Sequence, residues 1–380
     1  MVVENVSVIL ANRLRNPLNA YPNGLTHVRQ MVSFISEARG SKSQAEIQQD
    51  MTGTCEGLAA MPGKLVITDW GSSVTPGYNL ILRLLGYATN AGSLAIPQGP
   101  LSIPDKVIAA ISVDMSDLVL TLLPQLTRFN GWTSPVFGPI LLAAMGRPGV
   151  FMVDTILRWL EQPRAPGLSL DVGEISADWG LNLIEMAIPH AICAYDVDML
   201  QTLVTFHDKN LPPLVERTYA AWLQLSFESK DVALLDVLLR MRLKGRVRVT
   251  KETLMTAGYL ASTEQMVALL ATEKMHADKK FANTSPLIVS IRGGRVDVIA
   301  AVLDAGADVD LKVGKGAKEM SPMDVILRTS EVRDVRQAIA QLLLDRGATV
   351  PHQDTWARSN GYPALRQILE ATREKRKKAS

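Results

Sequence analysis

Cysteine is the scarcest informative residue in this chain. Only Cys55 and Cys193 occur in 380 residues, far apart and with no CxxC partner. That excludes a disulfide framework or a structural zinc site and leaves two ordinary thiols suited to a reducing compartment. Aromatic residues are also few, at 5%, whereas Leu, Ala, Val and Met are abundant. Such a composition suits packed helices better than sheets. Long apolar runs are missing as well. Pro139–Met145 is among the longest, far short of the roughly 20 residues that cross a bilayer. The first residues, Met1–Asn5, lack the basic start of a secretory signal, and Arg13 and Arg15 soon interrupt the apolar positions. A cytoplasmic or nuclear protein without a membrane span is the expectation.

Charge of one sign is lacking too. Forty Lys and Arg stand against 38 Asp and Glu, a net charge of +2, so no general basic field invites nucleic acid. The exception is the tail, where Arg373, Lys375, Arg376, Lys377 and Lys378 face Glu374 alone. Three readings fit it: a solvated helix end favoured by the helix dipole, a nuclear-import signal, or a contact to nucleic acid or anionic lipid.

Catalytic signatures are absent. There is no HExxH, GxSxG, P-loop or GxGxxG, and no two of the five histidines share a metal-ligand spacing. No catalytic residue, metal or cofactor is therefore expected. Lys64–Thr68 reads as a short strand or an extended linker before Asp69, a loop residue. His190, after Pro189, reads as a surface or turn histidine. Trp132, Trp159, Trp179 and Trp222 read as gap fillers.

What the chain does contain is periodicity. Ser285-Pro286-Leu287-Ile288 is followed by a turn at Gly294 and closes on Val302-Leu303-Asp304-Ala305-Gly306-Ala307-Asp308-Val309-Asp310. Backwards, Glu264–Leu270 aligns with Asp297–Leu303 at an offset of 33 residues. Forwards, Ser321-Pro322-Met323 repeats the opening and Leu342–Val350 repeats the close, with about five inserted residues near Glu331 and Arg333. This pattern resembles the ankyrin repeat, whose units open on Thr-Pro-Leu-His and close on Gly-Ala-Asp-Val-Asn. Ile288 stands where the family usually has histidine, so an aliphatic contact replaces a hydrogen bond. Upstream the resemblance rests on helix pairing alone: Lys106–Ile111 with Asp117–Leu123, Gly138–Ala144 with Val153–Leu160, Asn182–Ala187 with Met199–Val204, and Leu234–Leu239.

The expected fold is therefore all-α, an ankyrin-like helical-repeat solenoid of about seven degenerate units over residues 96–350. A helical N-terminal cap region precedes it (1–95), and a capping helix with the basic tail follows (351–380). A single repeat cannot bury its apolar face, so neighbours must stack on it. The resemblance implies a protein-binding module that meets its partner protein on a concave face of first helices and loop tips. By alignment the partner-binding positions are Met145, His190, Tyr259, Arg292, Asp310, Lys312 and Lys315, with Lys318 beside them. The alternative is an enzyme or small-molecule binder with a pocket in the irregular central repeats, around Glu185, His190 and Tyr195.

Overall fold

Paired helices account for most of the described residues. The computed structural model describes residues 8, 11, 12, 14, 23–61, 65–68, 71–74, 99–126, 132–134, 136–162, 183–214, 216–243, 249–272, 275–316, 319–328, 335–351 and 363–379. Two helical patterns expected in the N-terminal cap region, Val6–Leu14 (in large part) and Tyr78–Tyr87, lie outside the described residues, as do Asp69, Trp179, Lys318 and the insertion near Glu331. The chain divides into two compact units, residues 1–212 and 213–380.

In the first unit, α1 (Asn23–Arg39) and α2 (Gln44–Ala60) pack together and against α3 (Ile103–Ser112). Between them a hairpin pairs β1 (Leu65–Thr68) with β2 (Gly71–Val74), Leu65 opposite Val74, so the stretch read as strand or linker is a strand. Three helix pairs follow: α3 with α4 (Ser116–Leu122), α5 (Ile140–Met145) with α6 (Phe151–Glu161), and α7 (Leu183–Cys193) with α8 (Val197–Asn210). First helices stack in series, α3 on α5 on α7, and second helices likewise, α4 on α6 on α8. A two-residue hairpin, β3 (Thr133–Ser134) with β4 (Gly138–Pro139), leads into α5.

The second unit repeats the plan. Its pairs are α9 (Glu216–Ser229) with α10 (Val232–Arg240), α11 (Lys251–Leu260) with α12 (Thr263–Leu270), α13 (Pro286–Arg292) with α14 (Val296–Asp304), and α15 (Pro322–Arg328) with α16 (Arg336–Asp345). First helices again pack on first and second on second, and α17 (Pro363–Ala379) closes the series against α16. This is an all-α helical repeat.

Local sequence explains where the helices start and stop. Ser43 and Glu46, Ser102 and Asp105, and Ser262 and Gln265 form reciprocal capping boxes, each satisfying two amides that the first turn leaves without partners. Thr250 and Ser285 cap α11 and α13 through their side chains, with Pro286 at the first helical position where no amide is needed. The exits of α14 and α16 share one geometry. After α14 the Ala307 amide reaches Val302 O at 3.2 Å and the Gly306 amide reaches Leu303 O at 3.0 Å; Ala348 and Gly347 repeat this after α16 at 2.9 and 3.1 Å. Gly306 and Gly347 have φ of +91° and +93°, the left-handed cap that glycine enters without a Cβ clash.

The core runs along the interior of each stack. Val107–Ile111, Ile140, Ile184, Ile188, Leu200 and Leu203 are fully shielded in the first unit, and Leu234, Leu254, Leu269, Ile299 and Ile326 in the second. Ile288 is 0% exposed, so the aliphatic residue in the histidine position packs. Trp222 is buried, while Trp132 and Trp159 pair with ring centroids 5.9 Å apart.

Candidate functional site

In the second unit the first helices expose very little. Pro286 to Ile291 of α13 are all buried, which leaves Arg292, half-buried, as the helix's outlet to solvent. The neighbouring α11 is more open. Glu252, Met255, Thr256 and Tyr259 lie on one helical face and are exposed or half-buried, with Tyr259 at 43%. The two helices meet through glycine. A Cβ on Gly293 would lie 2.1 Å from Gly258 O, and one on Gly258 would lie 2.8 Å from the Val289 backbone. Backbones approach this closely only without side chains. The contact sets Tyr259 and Arg292 on adjacent helices, each one residue from it.

One loop precedes α13 and another follows α14. Phe281 and Thr284 bridge across a tight turn, Val313 and Met320 bridge across the next loop, and the Gly314 amide donates to Ala282 O at 3.2 Å. Aspartates tie the bases of successive loops together. The Asp308 amide donates to Asp278 Oδ1 at 2.7 Å, and Asp310 accepts from the Thr349 amide at 2.9 and 3.1 Å and from Thr349 Oγ1 at 2.6 Å. Asp310 is therefore half-buried and bonded within the chain, whereas Lys312 and Lys315 are exposed.

The two remaining expected residues lie in the first unit. Met145 is half-buried at the end of α5. His190 corrects the reading of a surface or turn histidine: it sits inside α7, 7% exposed, and its Nδ1 has no hydrogen-bond partner. Burial pushes its pKa down to about 4, because a cation there would be poorly solvated. α7 is buried nearly all round, Ala187, Ile188, Ala191 and Ile192 included, so the imidazole lies in the core. The expected grouping of Glu185, His190 and Tyr195 is replaced by another. Glu185 Oε1 lies 3.5 Å from Nε2 of His207, which is 0% exposed, and Tyr195 is 61% exposed on a left-handed turn. Nothing in the pattern of α8 marks His207 apart from its place on the buried face with Leu200, Leu203 and Val204.

A second buried cluster escaped sequence reasoning. Asp105, 1% exposed, accepts from Ser134 Oγ at 2.5 Å and from Ser102 Oγ at 2.5 Å, and His27 Nε2 lies 3.3 Å away as an electrostatic contact rather than an aligned hydrogen bond. Burial pushes the Asp105 carboxyl up, but His27, Ser102 and Ser134 together hold it below the ordinary carboxylate range. Ser, His and Asp are all present, yet the serine hydroxyl donates to the carboxylate and accepts from the Val136 and Phe137 amides. A nucleophile needs its hydroxyl on the imidazole, so this cluster pins α1 and the β3–β4 hairpin to α3.

Among the described residues no group of three or more His, Cys, Asp or Glu has a metal-binding arrangement, and no helix is long and apolar enough to cross a membrane.

No family model and no curated protein matches the chain. Among solved structures it is similar to the crystal structure of the human ASB11 ankyrin repeat domain, with a TM-score of 0.42 and 18% identity over 65% of this chain and 99% of that one. The helical-repeat architecture stands on the packing of the helix pairs themselves.

Proposed function

We propose that this protein is a protein-interaction module, and that the second unit meets its partner through the open face of α11, the end of α13 and the adjoining loop tips. The observation that carries this reading is the glycine-set junction of α11 and α13. Tyr259, 43% exposed, and Arg292 each lie one residue from this tightly packed contact. Tyr and Arg are the side chains that most often anchor protein interfaces, because each offers a large contact area with few rotatable bonds or a planar set of donors. Buried histidines do not favour an enzyme: His207 has no solvent access, and the Ser134 hydroxyl is spent on Asp105. Met145 and His190 belong to the first unit and drop out of the proposed surface, as does Asp310, whose carboxylate is spent on Thr349.

The test is affinity purification from the native cell with mass spectrometry, comparing the intact chain with Tyr259→Ala/Arg292→Ala. The expected result is a reproducible partner lost or weakened at least tenfold in the variant, on the scale of roughly 1.4 kcal/mol or more for two anchors. A partner bound equally by both proteins would remove this surface from the site.

A further inference from the structure

Three successive repeats of the first unit each leave one large apolar side chain in solvent. They are Leu120 on α4, Phe151 at the start of α6, 67% exposed, and Tyr195 on the turn into α8. α4 packs on α6 and α6 on α8. The turns before α4 and α6 touch directly, since Arg147 bonds Asp114 Oδ1 at 2.9 Å and Ser112 O at 3.2 Å. Packed helices lie about 8–10 Å apart, so neighbouring members of this row come within reach of one extended segment. Single exposed apolar residues are ordinary, but a row of them across adjacent repeats marks a contact surface.

Tyr195 is held in that row against its backbone preference. Its φ of +57° is a left-handed conformation that Gly149 and Gly294 take in the equivalent turns at +73° and +69°. A residue with a Cβ enters it at a steric cost. Asp114 and Lys230 take the same conformation, and each bonds a neighbouring repeat through its side chain. The Tyr195 side chain makes no hydrogen bond or ring contact among the described residues and adds little packing. Strain of this kind collects where a side chain serves something outside the fold.

The surroundings of the row are acidic. Each apolar residue has an aspartate three positions away: Asp117 for Leu120, Asp154 for Phe151 and Asp198 for Tyr195. Residues 113–121, 147–158 and 194–202 hold five aspartates against Arg147 and Arg158, and both arginines are paired, with Asp114 and Asp154. The adjoining turn of α1 and α2, which reaches Val113 O through Arg39, brings Arg39 and Lys42 with Glu37, Glu46 and Asp50, and so no cationic excess. Residues 1–212 as a whole carry 13 Lys and Arg against 18 Asp and Glu. Aspartates in a first turn favour the helix start without any partner. That accounts for their place, but Asp117 and Asp198 remain exposed beside the apolar row.

We infer that the row of Leu120, Phe151 and Tyr195 is a second docking surface, and that it takes a basic segment of a partner protein in which Lys or Arg alternates with apolar side chains. The apolar side chains of the segment cover the row. Its cations lie over the aromatic faces and against Asp117 and Asp198. An acidic surface turns away nucleic acid and anionic lipid. This surface belongs to the first unit and does not depend on the second-unit surface proposed above.

The experiment is a fluorescence-anisotropy titration of a labelled decapeptide of alternating Arg and Leu with the full-length chain, at low and at physiological salt. Decapeptides of alternating Glu and Leu and of alternating Ser and Leu run beside it. The Arg–Leu peptide is expected to bind, and to bind more weakly as salt rises. Phe151→Ala/Tyr195→Gly is expected to weaken it about tenfold or more, since aromatic anchors dominate interfaces. Asp117→Asn/Asp198→Asn is expected to weaken it about threefold, the scale of exposed charge pairs. Tyr259→Ala/Arg292→Ala is expected to leave it unchanged. No binding of the Arg–Leu peptide, equal binding of either other peptide, or indifference to either first-unit variant overturns the assignment. So does sedimentation showing that the chain pairs with itself through Phe151 and Tyr195, because the occupant is then a second copy. All four first-unit side chains are exposed, and circular dichroism checks that helix content is kept; Phe151→Ala alone carries the test if the double variant loses helix. A partner indifferent to Tyr259 and Arg292, with the peptide result intact, removes the second-unit surface and leaves this one standing.

Discussion

At the scale of single residues, absence of a side chain matters as much as its presence. Gly293 and Gly258 allow two backbones to approach where any Cβ would collide with a carbonyl or a neighbouring main chain. Gly293→Ala is expected to destabilise the protein by about 1–3 kcal/mol, the range of overpacking in a tight core. Urea denaturation would read this as a lower midpoint, and an unchanged midpoint would show that the junction is loose. His190 makes a second prediction. Its folded pKa of about 4 lies below the ordinary value of 6.5, so between those limits the unfolded chain binds the extra proton. Stability is therefore full above about pH 6.5 and falls by up to roughly 3 kcal/mol as the pH drops towards 4. His190→Gln cannot titrate and should flatten that part of the stability profile. The same slope in both proteins would place the titration elsewhere.

At the scale of elements, helix ends are held by cations from neighbouring repeats. The Ser112 and Val113 carbonyls that end α3 accept from Arg147 at 3.2 Å and from Arg39 at 3.1 Å, one on each side in the stack. In the second unit the end of α11 is held the same way, Leu260 O by Lys230 and Ala261 O by Arg295. Arg376 does this for α16, donating to Ala348 O at 2.8 Å and Leu344 O at 3.2 Å. One charge of the basic tail is thus spent inside the fold. A cation at a helix C-terminus satisfies orphan carbonyls and opposes the negative end of the dipole. Turns between paired helices show where improvement is available. Asp114 and Tyr195 take the left-handed position at φ +57°, which Gly294 holds at +69° between α13 and α14. Tyr195→Gly is expected to raise stability by about 0.5–1 kcal/mol, since the steric cost of the conformation outweighs glycine's entropy in the unfolded chain. Tyr195 is exposed, so little packing is lost. A fall in the thermal midpoint would mean that its ring contributes more than its backbone costs.

At the scale of the molecule, the strongest packing in each unit joins neighbouring helices of the stack, so stability is close to a sum of repeat and interface terms. Gly258→Ala should therefore speed amide hydrogen exchange in α11, α13 and α15 while leaving α3, α5 and α7 at their original protection. Uniform loss of protection across both units would show a single cooperative structure instead. Loop chemistry follows the same logic, because the Asp278, Asp308 and Asp310 ladder links only successive loops.

Sequence by itself determined the helical class, the turn at Gly294, the closing segments around Gly306 and Gly347, and the pairing of helices from their spacing. These depend on local rules that act within a few residues: hydrophobic spacing and glycine's freedom at positive φ. The β1–β2 hairpin remained open between strand and linker because four residues of Leu65–Thr68 carry too little pattern to decide. Tertiary structure decided which candidates are buried or bonded within the chain and which stay exposed. Alignment with the resembled family put His190 and Asp310 among the contact residues; the structure buries the imidazole and bonds the Asp310 carboxylate to Thr349. The Asp105 cluster joins residues 27, 105 and 134, and Arg39 reaches Val113, across sequence distances that no local signal encodes. Side-chain partners of this kind are chosen by the stacking of helices, and that stacking exists only once the whole unit has folded.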